Sequence, residues 1–194
     1  MKRLPLNKSI ESFDYIVMDT QWGKYIAVAS NHGLCCLMKC RIKNKPVAEI
    51  LADQFPRAEL TENAENKTLT NTETLLNAFI EGKEIKQTER LPLDLRGTEF
   101  QQKIWKKIAS IPHGKTISYQ EVAHAAGNKN AIRAGGSACG KNPIPYIIPC
   151  HRVIGHSGNL GGFAWGLDEK RFLLKREQPE IWPTAWDMPE KMMA

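Results

Sequence analysis

Ala131, Ala134, Gly135 and Ala138 recur at i, i+3, i+4 and i+7, a stripe so thin that a helix carrying it has to lie close against a neighbour. No other feature limits the fold of this 194-residue chain as tightly. The neighbour is supplied just upstream. Ser118 and Glu121 form a capping box that opens a short helix over Tyr119–Ala126, with Val122 and Ala126 inward and Gly127 placed to stop it. Before that, Thr98 and Gln101 form another box, followed by Phe100, Ile104 and Ile108 on one helical face and by Pro112-His113-Gly114 as a terminator. The thin helix turns Ile132, Arg133 and Lys129 outward. Two short helices joined by a glycine-containing turn, the second basic, have the outline of a helix-turn-helix. Helical hairpins also occur in proteins that never touch DNA, so the outline alone leaves the partner open.

Asn142-Pro143 follows the thin helix, then an apolar run from Ile144 to Ile148 broken only by Pro145 and Tyr146, then Pro149-Cys150-His151-Arg152-Val153. A thiolate is a strong nucleophile, and an imidazole is the side chain best suited to take its proton near neutral pH. An isolated Cys-His pair is more often a small buried hydrophobe beside an unrelated histidine. Here a loop bearing Gly155, Gly158, Gly161, Gly162 and Gly166 comes next, and such a loop permits close approach of backbone to a ligand. Asp168–Glu177 returns to helix, with Leu167, Phe172 and Leu174 apolar.

The first half is β-rich and then helical. Tyr15–Met18, Tyr25–Val28 and Leu34–Cys40 are apolar runs separated by turn-prone Thr20–Lys24 and Ser30–Gly33, which predicts an antiparallel meander. Lys45–Phe55 has helical spacing, residues 56–69 look like a polar loop, and Thr70 with Glu73 suggests a capping box for a helix that Gly82 ends. Leu91, Leu93 and Leu95 alternate with Pro92 and Asp94 as an extended connector, which divides the chain into residues 1–92, 93–178 and a tail, 179–194. The tail, with Trp182, Pro183, Trp186 and Pro189, reads as an extended arm. Within a strand Cys36 and Cys40 share a face while Cys35 points the other way, and no second ligand pair accompanies His32, so packed strand cysteines are expected and no metal. Five cysteines without the density of a disulfide framework suit free thiols in a reducing cytoplasm. No apolar run approaches a membrane span, and the N-terminus has no secretory pattern.

Of the net charge of +6, residues 97–177 carry +7, residues 1–96 carry +1 and the tail −2. The excess therefore lies with Cys150, and a polyanion such as nucleic acid is the leading partner over a merely solvated basic face.

Four motifs in register carry a resemblance. Ile117-Ser118-Tyr119-Gln120, Gly127-Asn128 followed by Arg133-Ala134, Asn142-Pro143, and Ile148-Pro149-Cys150-His151-Arg152-Val153 together resemble the O6-alkylguanine-DNA alkyltransferases, also called methylated-DNA–protein-cysteine methyltransferases. The likeness is strong over residues 97–177 and extends to the first half only in layout. It implies an α/β N-terminal domain of ribonuclease-H-like type, an antiparallel meander plus helix, joined to a mostly α C-terminal domain with a winged helix-turn-helix-like DNA-binding motif. It implies a cytoplasmic monomer acting on double-stranded DNA that contains O6-alkylguanine, with no cofactor and no membrane association, and leaves cooperativity on DNA open.

The same resemblance implies the roles. Cys150 accepts the alkyl group, His151 draws off the thiol proton through water, and Glu177 holds the other imidazole nitrogen. Tyr119 protonates guanine at N3, and Asn142 bridges the recognition helix to the cysteine segment. Arg133 fills the space left by an extruded base, Tyr119, Gln120, Asn128 and Lys129 meet DNA, and Val153, Phe163 and Ala164 form the base pocket. Two rivals share parts of the pattern: a Cys-His hydrolase or acyltransferase, which would turn over many times, and a lesion-binding protein without chemistry, which would not need Cys150.

Overall fold

Three strands open the described chain: β1 (Glu11–Thr20), β2 (Gly23–Ser30) and β3 (Gly33–Lys39), each antiparallel to the one before it. The structure is a computed structural model and describes residues 11–40, 45–84, 91–128 and 130–181. The tail beyond residue 181, with its tryptophans, lies outside the described residues, as does Lys129. At the first hairpin, the Thr20 hydroxyl accepts from Trp22 N at 3.1 Å and donates to Gly23 O at 2.7 Å, closing the turn without help from outside. Helix α1 (Val47–Gln54) follows within the stretch expected to be helical.

The polar stretch 56–69 is not all loop. Ala58–Glu62 forms β4, parallel to β1, so the sheet order is β3-β2-β1-β4. Its alternation is too polar to signal a strand, because β4 is an edge and its residues are largely exposed. Helix α2 (Lys67–Ile80) also starts earlier than the Thr70–Glu73 pattern suggests. Asn66 is the cap, its side-chain oxygen accepting from Thr68 N and Leu69 N, while Thr70 sits inside the first turn.

The sheet is buried on both faces. Tyr25, Ala27 and Ala29 of β2 face α2 and the second half of the chain, whereas Ile26 and Val28 pack with Phe13, Leu51 and Phe55. Cys35 and Cys36 both belong to that second cluster, contrary to strict alternation. The register between β2 and β3 shifts at Val28/Ala29, leaving Cys35 as the extra residue of a bulge, and its thiol donates to Val28 O at 3.3 Å. Among the described residues no group of three or more metal-ligating side chains forms.

The connector runs beside β3, bonded through Leu34 N to Pro92 O (2.8 Å) and Asp94 N to Leu34 O (2.9 Å). Gly33 makes that approach possible: a Cβ there would lie 2.3 Å from Pro92 O, and its φ is +140°. Arg96 then ties the connector back to the sheet through Asp94 and Glu11.

The second half is helical. Helix α3 (Glu99–Ala109) and helix α4 (Tyr119–Ala125) begin at the two expected capping boxes, with both reciprocal bonds made in each. Helix α5 (Ile132–Cys139) packs on both. The thin stripe is Gly135, Ala138 and Cys139, with Ala134 exposed: the buried face is turned by about one residue from the expected one. A Cβ on Gly135 would touch Ala123 Cβ of α4 at 3.5 Å, and Trp105 Nε1 of α3 donates to Ala138 O at 2.9 Å. Strand β5 (Ile117–Ser118) pairs in parallel with β6 (Val153–Ile154), and helix α6 (Leu167–Glu177) closes the described chain. One continuous core runs from Ile16 and Leu76 through Ile104 and Ile148 to Leu173, so the sheet-bearing half and the helical half share their apolar interior. No described helix is long and apolar enough to cross a membrane.

Candidate active site

Cys150, His151 and Arg152 form one turn of 3-10 helix between the apolar run and β6. Asn142 braces that turn from the end of α5. Its amide donates to Ile148 O at 2.7 Å and its side-chain oxygen accepts from Ile144 N at 3.0 Å, closing residues 142–148 into a compact loop. At the loop's apex Tyr146 has φ +67°, a conformation that costs a non-glycine residue about 1–3 kcal/mol and persists only where the surroundings over-determine it.

The imidazole of His151 is 1% exposed and its Nε2 lies 2.8 Å from Glu177 Oε1. The same carboxylate accepts from Arg152 Nε at 2.8 Å, Arg152 Nη2 at 2.9 Å and Gly114 N at 3.2 Å, while Arg152 Nη1 donates to Ile111 O at 2.7 Å. Burial pushes the Glu177 carboxyl up, but the hydrogen bonds and charge of His151 and Arg152 outweigh it and hold the group well below the usual carboxylate range. Burial dominates at His151 and takes the imidazole below its ordinary value despite Glu177. At neutral pH the pair is therefore a carboxylate and a neutral imidazole. The carboxylate can only accept, so the ring proton sits on Nε2 and Nδ1 is left as the basic nitrogen.

Cys150 is half-buried as a residue, and burial pushes its thiol above the ordinary value; a hydrogen bond from Asn142 and the charge of Lys170 pull the other way without cancelling it. The resting site holds a thiol, not a thiolate.

Tyr119, at the first position of α4, reaches over the glycine loop and donates to Gly162 O at 3.0 Å. Burial raises its hydroxyl to about 12, so it keeps its proton across the physiological range. Gly161, with φ +62°, lets the loop pass beneath the ring, since a Cβ there would lie 2.6 Å from Tyr119 Cε2. Phe163 packs edge-on against Trp165 at 5.9 Å, and Ala164 is exposed beside it. Val153 is fully buried in the core, and its carbonyl accepts from Lys170 Nζ at 2.5 Å.

Arg133 on α5, Gln120 on α4 and Asn128 in the turn between them are all exposed. They line the outer surface of the helix pair whose inner face packs the core.

Two residues of this site went unassigned from sequence. Arg152 lies inside the quoted motif yet reads as a surface base, although it is the second partner of Glu177. Lys170 is completely buried and donates to Val153 O at 2.5 Å, Leu160 O at 2.6 Å and Gly162 O at 3.3 Å, pinning β6 and the middle of the glycine loop to α6. Burial lowers its ammonium to about 8. The available signal was periodic: Lys170, Leu173, Leu174 and Glu177 fall on one face of α6, so a lysine there had to point inward. A cavity of about 870 Å³ lies behind the site, between the 91–95 connector and α3; Pro149 and Arg152 line it and Cys150 does not.

Residues 99–179 match the family model described as 6-O-methylguanine DNA methyltransferase, DNA binding domain. A methylated-DNA–protein-cysteine methyltransferase of Methanosarcina barkeri is 38% identical over 167 residues, covering 86% of this chain and 98% of that protein. The bifunctional transcriptional activator/DNA repair enzyme Ada of Escherichia coli is 37% identical over 164 residues, covering 84% of this chain and 45% of that protein. The chain thus spans about half the length of the first two curated relatives it matches. Among solved structures, Mycobacterium tuberculosis OGT in complex with DNA superposes with a TM-score of 0.66 at 34% identity, covering 86% of this chain and 93% of that one.

Proposed function

The chain belongs to the methylated-DNA–protein-cysteine methyltransferases, and from that premise we propose that it repairs O6-alkylguanine in double-stranded DNA by taking the alkyl group onto Cys150. The observation that carries this reading is the buried 2.8 Å contact between His151, on the same turn as the thiol, and Glu177 at the end of α6. His151 Nδ1 takes the Cys150 proton through water, and the thiolate attacks the alkyl carbon. A carbon–sulfur bond forms, the carbon–O6 bond breaks, and the departing guanine takes a proton at N3 from Tyr119. Asn142 keeps the end of α5 in register with the thiol, so contact on the helix pair is felt at the sulfur.

The base must leave the stack first, at a cost of a few kcal/mol. Arg133, exposed on α5, occupies the vacated space, Gln120, Asn128 and Lys129 hold the flanking backbone, and Phe163 and Ala164 wall the pocket with the Val153 backbone. The finer architectural reading goes with this function: a ribonuclease-H-like first domain, a winged helix-turn-helix second domain beginning at residue 93, and residence in the cytoplasm. The order of β1–β4 and the α4–α5 pair support it.

A thioether has no route back to a thiol here, so each molecule acts once. A methylated oligonucleotide mixed with the protein should lose one methyl per protein molecule, with the added mass on the Cys150 peptide and none with Cys150→Ala. Turnover beyond one equivalent would favour the hydrolase rival, and binding without transfer the lesion-binding one.

A further inference from the structure

The segment that delivers Cys150 is held at its apex by a contact no motif announces. Tyr146 is 3% exposed, and its hydroxyl lies 3.1 Å from Glu169 Oε1 on α6 and 3.0 Å from the Tyr25 hydroxyl on β2. A tyrosine has one proton to give, and the carboxylate can only accept. Tyr146 therefore donates to Glu169, and Tyr25 donates to Tyr146. The apex is thereby tied to both halves of the fold at one oxygen atom, while Leu37 N donates to Pro143 O at 2.9 Å and fastens the start of the same loop to β3.

The ring contacts run to both walls of the reaction site. Tyr146 packs on Trp165 at 5.0 Å, and Trp165 on Phe163 of the pocket loop at 5.9 Å. On its other side Tyr146 meets Phe79 at 5.0 Å, and Phe79 meets His151 at 6.0 Å. One side chain thus abuts the supports of the base pocket and of the imidazole, and it belongs to the loop that ends in the thiol. Its backbone stands at φ +67°, so relaxation of the clamp has a direction: toward an ordinary conformation that moves the loop.

We infer that Tyr146, clamped by Tyr25 and Glu169, is a positioning residue for alkyl transfer, fixing the separation between the Cys150 sulfur and the base pocket. This rests on the transferase reading above. A purely structural tyrosine would, when trimmed, reduce how much protein is folded. A positioning tyrosine reduces how fast each folded molecule reacts.

Single-turnover chemistry separates the two, because burst amplitude counts competent molecules and the rate constant reports geometry. Tyr146→Phe keeps the ring and removes the clamp. At saturating O6-methylguanine duplex its rate constant should fall roughly tenfold, the change produced by about 1.4 kcal/mol at the transition state. Burst amplitude and DNA Kd should stay within about twofold, and free O6-alkylguanine should react slower by the same factor as the duplex. Tyr25→Phe, which leaves the Tyr146–Glu169 bond in place, should slow transfer in the same direction and serves if Tyr146→Phe fails to fold. Rate constants within about twofold of the parent in the folded variants overturn the inference, as does a loss confined to amplitude. Parent protein that transfers nothing overturns the function itself, and this inference with it.

Discussion

Replacing Glu177 by Gln tests the centre of the site with one atom. Both carboxylate oxygens are fully engaged: Oε1 accepts from His151 Nε2 and Arg152 Nη2, and Oε2 from Arg152 Nε and Gly114 N. An amide must turn its NH2 toward one of those pairs, so two donors lose their acceptor whichever way it flips. Hydrogen bonds involving a charged partner contribute about 1.5–3 kcal/mol each, which gives about 3–6 kcal/mol for two. Removing one partner of a buried ion pair costs about 3–5 kcal/mol by independent reasoning, and the two ranges agree. Arg152 makes the loss large. Its side chain is 8% exposed and would keep its charge with no anion beside it.

A protein of this size has about 5–15 kcal/mol of stability in all, so Glu177→Gln should survive but unfold at a markedly lower urea concentration. Paired denaturation curves of the two proteins give the difference directly. A loss below about 1 kcal/mol would refute the argument, because it would mean that Arg152 and His151 find other partners or water once the carboxylate is gone. The folded fraction should also transfer more slowly, since a neutral amide neither fixes the His151 tautomer as the carboxylate does nor stabilises the imidazolium that forms.

Stability should also fall on acidification. His151 has a folded-state pKa below its ordinary 6.5, so the unfolded chain takes up a proton that the folded one refuses; Glu177 repeats this below about 4.3. The urea midpoint should therefore drop as pH passes downward through 6.5 and drop again below about 4.3, with the lower step smaller in Glu177→Gln; a midpoint that holds or rises down to pH 5 would contradict the burial of a neutral imidazole. Gly161→Ala would set a methyl 2.6 Å from the Tyr119 ring at a φ of +62°, so either the ring or the loop must move. Transfer should slow by about tenfold or more with DNA affinity near that of the parent, and an unchanged single-turnover rate would show that the Tyr119 hydroxyl need not sit where it does.

The legible parts of this fold were those written in local chemistry. Thr98/Gln101 and Ser118/Glu121 satisfy their own helix ends, so both boxes could be read before any tertiary contact was known. The meander was legible because β1, β2 and β3 alternate with turns that close on their own side chains. Strand β4 was not, since an exposed parallel edge needs no apolar pattern and its pairing with β1 is a long-range fact. The cysteine faces were misread for a related reason. A bulge between β2 and β3 is a property of two strands together, and alternation within one strand cannot reveal it. The Cys150–His151 pair was visible as a dipeptide, whereas Glu177 entered only through a resemblance, because a separation of 26 residues carries no spacing signal.

The electrostatics of the site bear on how the proposed single transfer would be kept in check. The ordinary values for the Cys150 thiol and the His151 imidazole are 9.0 and 6.5, and burial moves them further apart. Proton transfer from thiol to imidazole in the resting site is therefore uphill, and the pair rests neutral. For a catalyst that recovers its nucleophile this would only be a loss of rate. For a chain whose sulfur would be consumed by the proposed transfer, a thiol that stays protonated is also protection against stray electrophiles. A substrate that moved Lys170's charge closer to the sulfur would narrow this gap from the thiol side, and that route passes through the glycine loop that Lys170 ties down at Leu160 and Gly162.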